Sequence, residues 1–74
     1  MNKKRNGDLQ PVDLQDYYST LKKKEKGKLL RFLTREYGMG YSTIVNKLAG
    51  RHEMSETDVF LLNLAIENEN LWRT

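Results

Sequence analysis

Apolar residues recur every three or four positions along most of this chain, which is the spacing of one face of an α-helix. The first such set consists of Leu14, Tyr17, Tyr18 and Leu21. Asp13 stands directly before it and is a reasonable N-cap, because its carboxylate can accept a hydrogen bond from a free backbone amide. Residues 1–12 are polar, contain Gly7 and Pro11, and show no such period. The pattern predicts a flexible N-terminal arm over residues 1–12 and a single helical domain over residues 13–74.

A second apolar set predicts a longer helix that ends before Gly38. Its members are Leu29, Leu30, Phe32, Leu33 and Tyr37. The strongly charged stretch 22–28 leads into this helix. Gly27 lies within that stretch and weakens a helix by about 1 kcal/mol relative to alanine. The pattern therefore does not determine at which residue the first turn of this helix begins. Gly38 suits the left-handed residue that commonly follows the last turn of a helix.

A short third helix is predicted over residues 41–49. Gly40 is an acceptable N-cap for it, although serine or asparagine would be stronger. Ile44 and Leu48 are four residues apart and share a face, so we expect them to anchor the helix to a core. Gly50 follows and would end it. A helix of about ten residues is marginal alone, so one side must be supported by packing, which leaves the other faces available to a partner.

The fourth apolar run, from Val59 to Ile66, has the sequence VFLLNLAI. Ser55 and, three residues later, Asp58 resemble a capping box in front of it. The run has more apolar residues than one core-facing stripe needs. It is either a central buried helix, which is the preferred interpretation, or a helix that shares a patch with a second copy. Leu71 and Trp72 either fold back onto the domain or join the same contact as the 59–66 run.

The formal net charge of +3 is divided unevenly along the chain. Residues 1–51 carry twelve lysine or arginine and five acidic residues, a net charge of +7. Residues 52–74 carry one arginine and five acidic residues, a net charge of −4. A basic surface with an acidic back is typical of a protein that faces a polyanion. Lysines that merely solvate a helix face would give the same distribution.

Composition argues against several classes of function. The chain has no cysteine, which excludes a disulfide framework and a thiolate metal site. His52 is the only histidine, and no ligand set surrounds it, so we expect neither a metal nor a cofactor. No catalytic arrangement is supported, and enzymatic activity is not expected. No apolar run reaches the roughly 20 residues that span a membrane, and none follows the basic N-terminus, so we expect a cytoplasmic protein without a signal peptide.

The residues between Leu33 and Ile66 have a spacing that points to a known family. They are Leu33, Gly38-Met39-Gly40, Ser42-Thr43-Ile44, Leu48, Gly50 and Ser55. This order resembles the lambda-repressor-like helix-turn-helix domains, the Cro and XRE group of phage and bacterial regulators. The resemblance covers about half of the chain, and its joint spacing carries more weight than its single letters. We expect an all-α bundle of four to five short helices with a helix-turn-helix at about residues 29–50.

Three positions depart from the pattern of that family. Leu30 stands where a glutamine usually opens the first helix of the motif, and Thr34 stands where a small alanine is usual. Gly40 replaces the serine or threonine of the turn. The family's glutamine commonly bonds a phosphate and the recognition helix, so this polar clamp is missing from the chain.

The resemblance implies a small sequence-specific DNA-binding transcriptional regulator of phage or mobile-element type, which places helix 41–49 in the major groove of double-stranded DNA. The candidates for base contacts are Tyr41, Ser42, Val45 and Asn46. The candidates for backbone contacts are Lys22, Lys23, Lys24, Lys26, Lys28, Arg31, Arg35, Thr43, Lys47 and Arg51. The arm would add Lys3, Lys4 and Arg5 along a groove. A homodimer through residues 59–72 is a further expectation.

Two other functions stay open at this point. A protein-interaction module, antirepressor or antitoxin-like, would use the helix-turn-helix fold and the apolar 59–66 helix without sequence-specific DNA binding. The basic surface could instead bind RNA. The single residues also have ordinary interpretations, since Tyr41 can cover apolar surface and Asn46 can be a solvated helix residue.

Overall fold

The computed structural model describes residues 9–73, which form four α-helices and contain no strand. The helices are α1 (Pro11–Thr20), α2 (Lys23–Tyr37), α3 (Tyr41–Leu48) and α4 (Glu56–Glu67). A single 3₁₀ turn, Glu69–Leu71, follows α4. The prediction of a small all-α bundle is confirmed. The basic residues of the predicted arm, Lys3, Lys4 and Arg5, lie outside the described residues.

Helices α1, α2 and α4 begin with the same device, an acidic third residue that accepts a hydrogen bond from the N-cap amide. The bonds run from Gln10 to Asp13 Oδ2 at 2.9 Å, from Lys22 to Glu25 Oε1 at 3.0 Å and from Ser55 to Asp58 Oδ2 at 2.9 Å. At α4 the Asp58 amide also donates to Ser55 Oγ at 3.1 Å, which confirms the predicted capping box. Asp13 as an N-cap was wrong. Helix α1 begins earlier, because Pro11 suits a first helical position and Gln10 caps it.

Three residues connect α2 to α3. Gly38 ends α2 in the left-handed conformation, with φ 70° and ψ 20°, as predicted. Its amide bonds the Thr34 carbonyl at 3.1 Å, and the Met39 amide bonds the Leu33 carbonyl at 3.3 Å. These bonds satisfy carbonyls that the last helical turn would leave free. Gly40 is the N-cap of α3 and provides no side chain to cap its amides.

The core is built from buried apolar side chains of all four helices, the α1–α2 connection and the C-terminal segment. They are Leu14, Leu21, Leu29, Leu30, Phe32, Leu33, Ile44, Leu48, Leu62, Ala65, Ile66 and Trp72. Helix α3 packs against α1 and α2, and its two buried residues are Ile44 and Leu48. The predicted anchoring of α3 through this pair is confirmed.

Helix α4 packs chiefly against α1 and α2. Leu62 and Ala65 are buried, whereas the side chain of Phe60 is 64% exposed. The preferred interpretation of α4 as a central buried helix is therefore wrong, because its neighbours leave the Phe60 side of α4 to solvent. The alternative, a patch shared with a second copy, stays a prediction.

The C-terminal segment folds back onto α4. Trp72 is buried, and its indole Nε1–H donates a hydrogen bond to the Ala65 carbonyl at 2.8 Å. Leu71 remains 63% exposed, so only one of the two apolar residues joins the core. Among the helices described, none has the length and apolar character that crossing a bilayer requires.

Candidate nucleic-acid interface

The N-terminal turn of α3 projects into solvent. Tyr41 is 57% exposed, and Ser42 and Thr43 are also exposed. The first turn of α3 carries no acidic residue, in contrast to those of the other three α-helices. Backbone amides at a helix N-terminus carry a partial positive charge. This end of α3 therefore presents polar side chains and a favourable electrostatic environment for an anion.

The second half of α3 is less open than the sequence indicated. Val45 is half-buried and packs against the core, so this base-contact candidate is only partly accessible. It lies three residues before Leu48 and shares that flank of the helix. Asn46 is also half-buried, and its Oδ1 accepts a hydrogen bond from Arg51 Nη1 at 2.8 Å. Its amide nitrogen is left to donate, and Arg51 remains exposed.

Lys47 does not present its ammonium to the outer face. The ammonium forms a hydrogen-bonded ion pair with Asp58 Oδ2 on α4. The two side chains are only 20% and 12% exposed. The predicted phosphate contact by Lys47 is corrected accordingly, because leaving Asp58 for a phosphate would strand a largely buried carboxylate.

Helix α2 carries a stripe of cationic side chains along one face. Its members are Lys24, Lys28, Arg31 and Arg35, at the i, i+4, i+7 and i+11 spacing of a single helix face. Within residues 9–73, the guanidinium of Arg31 has no hydrogen-bond or ion-pair partner. Arg35 Nε lies 3.5 Å from Glu36 Oε2, but both side chains are at least half exposed. Such a pair contributes little and separates easily.

The lysines at positions 22–26, before and within α2, differ in their exposure to solvent. Lys22, Lys23 and Lys24 are exposed. Lys26 is half-buried, and its ammonium lies 5.1 Å from the centre of the Tyr18 ring, a cation–π arrangement. Burial, together with the nearby Tyr41, raises the pKa of Tyr18. Lys26 is thus partly engaged within the fold and is a weaker candidate for a backbone contact than its neighbours.

A cleft lies where α2 meets the start of α3. Its lining residues are Gly27, Arg31, Thr34, Arg35 and Tyr41, and its volume is about 300 Å³. Two backbone-contact candidates of α2 are thereby brought next to the first base-contact candidate of α3. We refer to this feature as the arginine cleft.

The position at which the lambda-repressor-like domains usually have a glutamine is occupied here by a core residue. Leu30 is buried, and its carbonyl accepts a hydrogen bond from Thr34 Oγ1 at 2.9 Å. A polar clamp between α2, α3 and a phosphate therefore has no side chain at this position. Contacts from α2 would have to come from Arg31, the next residue along the helix, and from Arg35, about one turn beyond it.

Sequence reasoning missed two polar arrangements that hold the chain ends. Asn63 is buried and exchanges two hydrogen bonds with the backbone of Leu9, at 2.9 and 3.0 Å. Glu69 accepts bonds from Tyr17 at 2.7 Å and from Arg73 at 3.1 Å. Burial and the bond to Glu69 raise the pKa of Tyr17. A single asparagine within VFLLNLAI was the only available signal, since it had to be satisfied wherever that run was buried.

No group of three or more His, Asp or Glu side chains within the described part of the chain could hold a metal ion. Comparisons with protein-family models, with curated proteins and with solved structures gave no match to this chain. The similarity to the lambda-repressor-like domains therefore stays a prediction that rests on the residues that carry it.

Proposed function

We propose that this chain is a small sequence-specific DNA-binding transcriptional regulator that places α3 in the major groove of double-stranded DNA. The observation that carries the proposal is that α3 is anchored on one side and exposed at its N-terminal turn. Two buried residues, Ile44 and Leu48, fix its inner side, while its N-terminal turn stands in solvent without an acidic residue. The major groove admits one α-helix, whose first residues reach the base edges.

The side chains of α3 have separate roles in this proposal. Tyr41 and Ser42 are the leading base contacts, because both are exposed on the first turn. Asn46 would donate from its amide to a base edge while Arg51 holds its oxygen. Val45 contributes at most an edge contact with a thymine methyl, since it is half-buried. Thr43 and Arg51, which are both exposed, contact phosphates in this proposal.

The electrostatic part of the proposal rests on α2 and the segment before it. The exposed cations available to phosphates are Lys22, Lys23, Lys24, Arg31 and Arg35, together with the half-buried Lys28. Each phosphate that is neutralised steepens the dependence of log K on log salt by about 0.9. We include in the proposal a helix-turn-helix formed by α2 and α3, a cytoplasmic location, and dimerisation through residues 59–72 on DNA.

The test is a titration with random-sequence duplex DNA over a salt series, followed by selection and sequencing of the bound fraction. We expect binding near 50 mM salt that weakens as salt rises, with enrichment of a sequence. Tyr41→Ala should lower affinity and change that preference. Val12→Ala is the control, since it shortens an apolar side chain of similar exposure on α1, outside α3 and outside residues 59–72. Absence of binding at 50 mM salt would refute the proposal, and binding without enrichment would reduce it to an architectural role.

One observation favours a second candidate, a protein-interaction module that uses α4. Phe60 is 64% exposed, and Leu61 and Leu64 beside it are only half-buried. If this candidate is right, Phe60→Asp abolishes assembly with a partner or second copy, while Tyr41→Ala with Asn46→Ala leaves DNA affinity unchanged. Equal or tighter binding to single-stranded RNA than to duplex DNA would instead support the RNA alternative.

A further inference from the structure

Gly27 occupies a helical position for which the fold itself offers no reason. It lies inside α2, where glycine is among the least favourable residues. A Cβ added there would meet no atom within 4 Å. The residues with positive φ are Gly38 and Gly50, so Gly27 does not have a left-handed backbone either. Neither packing nor conformation within residues 9–73 calls for glycine at this position.

Gly27 does form part of the wall of the arginine cleft. Arg31 and Arg35 follow it at four-residue spacing, so the three positions lie above one another on one face of α2. Tyr41 closes the cleft from the α3 side. A glycine in such a wall lets another chain come close to the helix backbone, which is a recognised use of this residue.

We propose that the arginine cleft binds a phosphate of the DNA backbone beside the groove that α3 enters, with Gly27 providing the space for the strand. This inference rests on the proposed function. Guanidinium groups bind phosphate oxygens through paired hydrogen bonds, and Arg31 has no competing partner among residues 9–73. The Tyr41 hydroxyl can donate a further bond. The hydroxyl hydrogen of Thr34 is already used on the Leu30 carbonyl, so Thr34 contributes to the wall and not to the bonding.

The arrangement of charge favours a nucleic-acid strand over an acidic protein segment. No acidic side chain lines the cleft, and the cationic stripe continues along α2 from Arg35 to Lys24. Eleven residues of helix rise by about 16 Å. One DNA strand carries a phosphate for every 3.4 Å or so of helix axis. The stripe is therefore long enough to meet more than one phosphate of a strand, which suits a continuous polyanion.

The glycine provides a test in which stability and binding move in opposite directions. Gly27→Ala should raise Tm by up to about 4–8 °C, because alanine is the better helix former. The same methyl group should lower affinity for duplex DNA, because it occupies the space of the strand. Both are measured on the full chain, by thermal unfolding and by fluorescence anisotropy with a labelled random-sequence duplex. Thr57→Ala on α4 is the control, an exposed helix substitution outside the cleft.

The arginines are tested through the salt dependence of the same binding reaction. Arg31→Gln and Arg35→Gln should each reduce the slope of log K against log salt by about 1 and weaken binding equally for all sequences. Arg31→Lys keeps the charge, loses the paired geometry, and should fall between Arg31→Gln and the unmodified chain. Adding Asp16→Asn to Arg31→Gln restores the net charge of +3 at an exposed position of α1, outside the cleft and outside residues 59–72, and should not restore affinity.

The outcomes distinguish failure of the inference from failure of the function on which it rests. The inference is overturned, and the function stands, if Tyr41→Ala weakens binding while Gly27→Ala and both arginine variants bind DNA like the unmodified chain. Recovery of affinity by Asp16→Asn also overturns it, since only overall charge would then matter. If Gly27→Ala and the arginine variants bind DNA normally but lose binding to a polyglutamate peptide, the cleft is assigned to an acidic protein instead. Failure of the unmodified chain to bind duplex DNA removes both proposals.

Discussion

The Lys47 ammonium donates a hydrogen bond to Asp58 Oδ2, and the same oxygen accepts a bond from the Ser55 amide at 2.9 Å. One carboxylate thus closes the start of α4 and holds the end of α3. The Lys47 carbonyl also accepts a bond from Gln15 Nε2 of α1, at 3.3 Å. Residue 47 therefore ties α3 to two other helices, and the orientation of the exposed face of α3 depends on these bonds.

Removal of the Asp58 carboxylate should destabilise the fold. Asp58→Ala loses a helix cap and leaves the largely buried Lys47 ammonium unpaired, so we expect the free energy of unfolding to fall by about 2–4 kcal/mol. Urea unfolding followed by circular dichroism measures it. Asp16→Ala, which removes an exposed carboxylate from α1, should change stability by no more than about 0.5 kcal/mol. Equal effects of the two substitutions would contradict this account of the pair.

The same carboxylate should make stability depend on pH in the acid range. Burial raises the pKa of Asp58, but the hydrogen bonds from Lys47 and Ser55 and the lysine charge outweigh it, so the pKa lies below its usual value. A lowered pKa in the folded state stabilises the fold above the unfolded pKa of about 3.9, and this contribution is lost as pH falls through the folded pKa.

Asp58→Asn isolates this contribution, since asparagine keeps the size and does not titrate. The difference in unfolding free energy between the native chain and the variant should be constant from about pH 7 to pH 5 and should shrink below about pH 4. The pKa of Glu25 is also lowered, chiefly by the hydrogen bond from the Lys22 amide, and it affects both proteins alike. A difference that stays constant down to pH 2 would show that Asp58 does not titrate with a lowered pKa.

Asn63 should control how firmly the N-terminal segment is held. Its side chain accepts from the Leu9 amide and donates to the Leu9 and Val59 carbonyls, at 2.9, 3.0 and 2.9 Å. Asn63→Ala leaves the Leu9 backbone groups without these partners, and we expect a loss of about 1–3 kcal/mol. Amide hydrogen exchange at Leu9 should become faster.

Asn68→Ala provides the comparison for Asn63. The Asn68 side chain donates one bond, to the Leu64 carbonyl at 2.9 Å, and that bond stays within a single stretch of chain. Its removal should leave exchange at Leu9 unchanged. Faster exchange at Leu9 in both variants would point to general loosening of α4 and not to a specific tether.

The parts that could be predicted from sequence are those determined by local chemistry. Gly38 in the left-handed region, Gly40 as an N-cap and the Ser55–Asp58 capping box follow from residue types at short spacing. The burial of Ile44 and Leu48 follows from helical periodicity in the same way.

Features that depend on contacts between distant residues could not be predicted in this way. Lys47 looked like an exposed cation because its partner lies eleven residues away, on another helix. Asn63 meets Leu9 across 54 residues. The exposure of Phe60 depends on which side of α4 the other helices cover, and the surplus of apolar residues in that run allowed either side. The cleft between α2 and α3 likewise exists only once the two helices are packed.

Trp72 provides a last prediction, in which the two functions of one side chain can be separated. Trp72→Ala removes a large buried ring, and we expect a loss of about 3–5 kcal/mol. Trp72→Phe keeps most of the ring and loses the bond to the Ala65 carbonyl. That carbonyl also accepts a bond from the Asn68 amide at 3.2 Å, so it does not become unsatisfied. The cost of Trp72→Phe should therefore be less than half that of Trp72→Ala, as measured by urea unfolding with circular dichroism. Similar losses for both variants would show that the indole hydrogen bond, and not the packed ring, holds the C-terminal segment on α4.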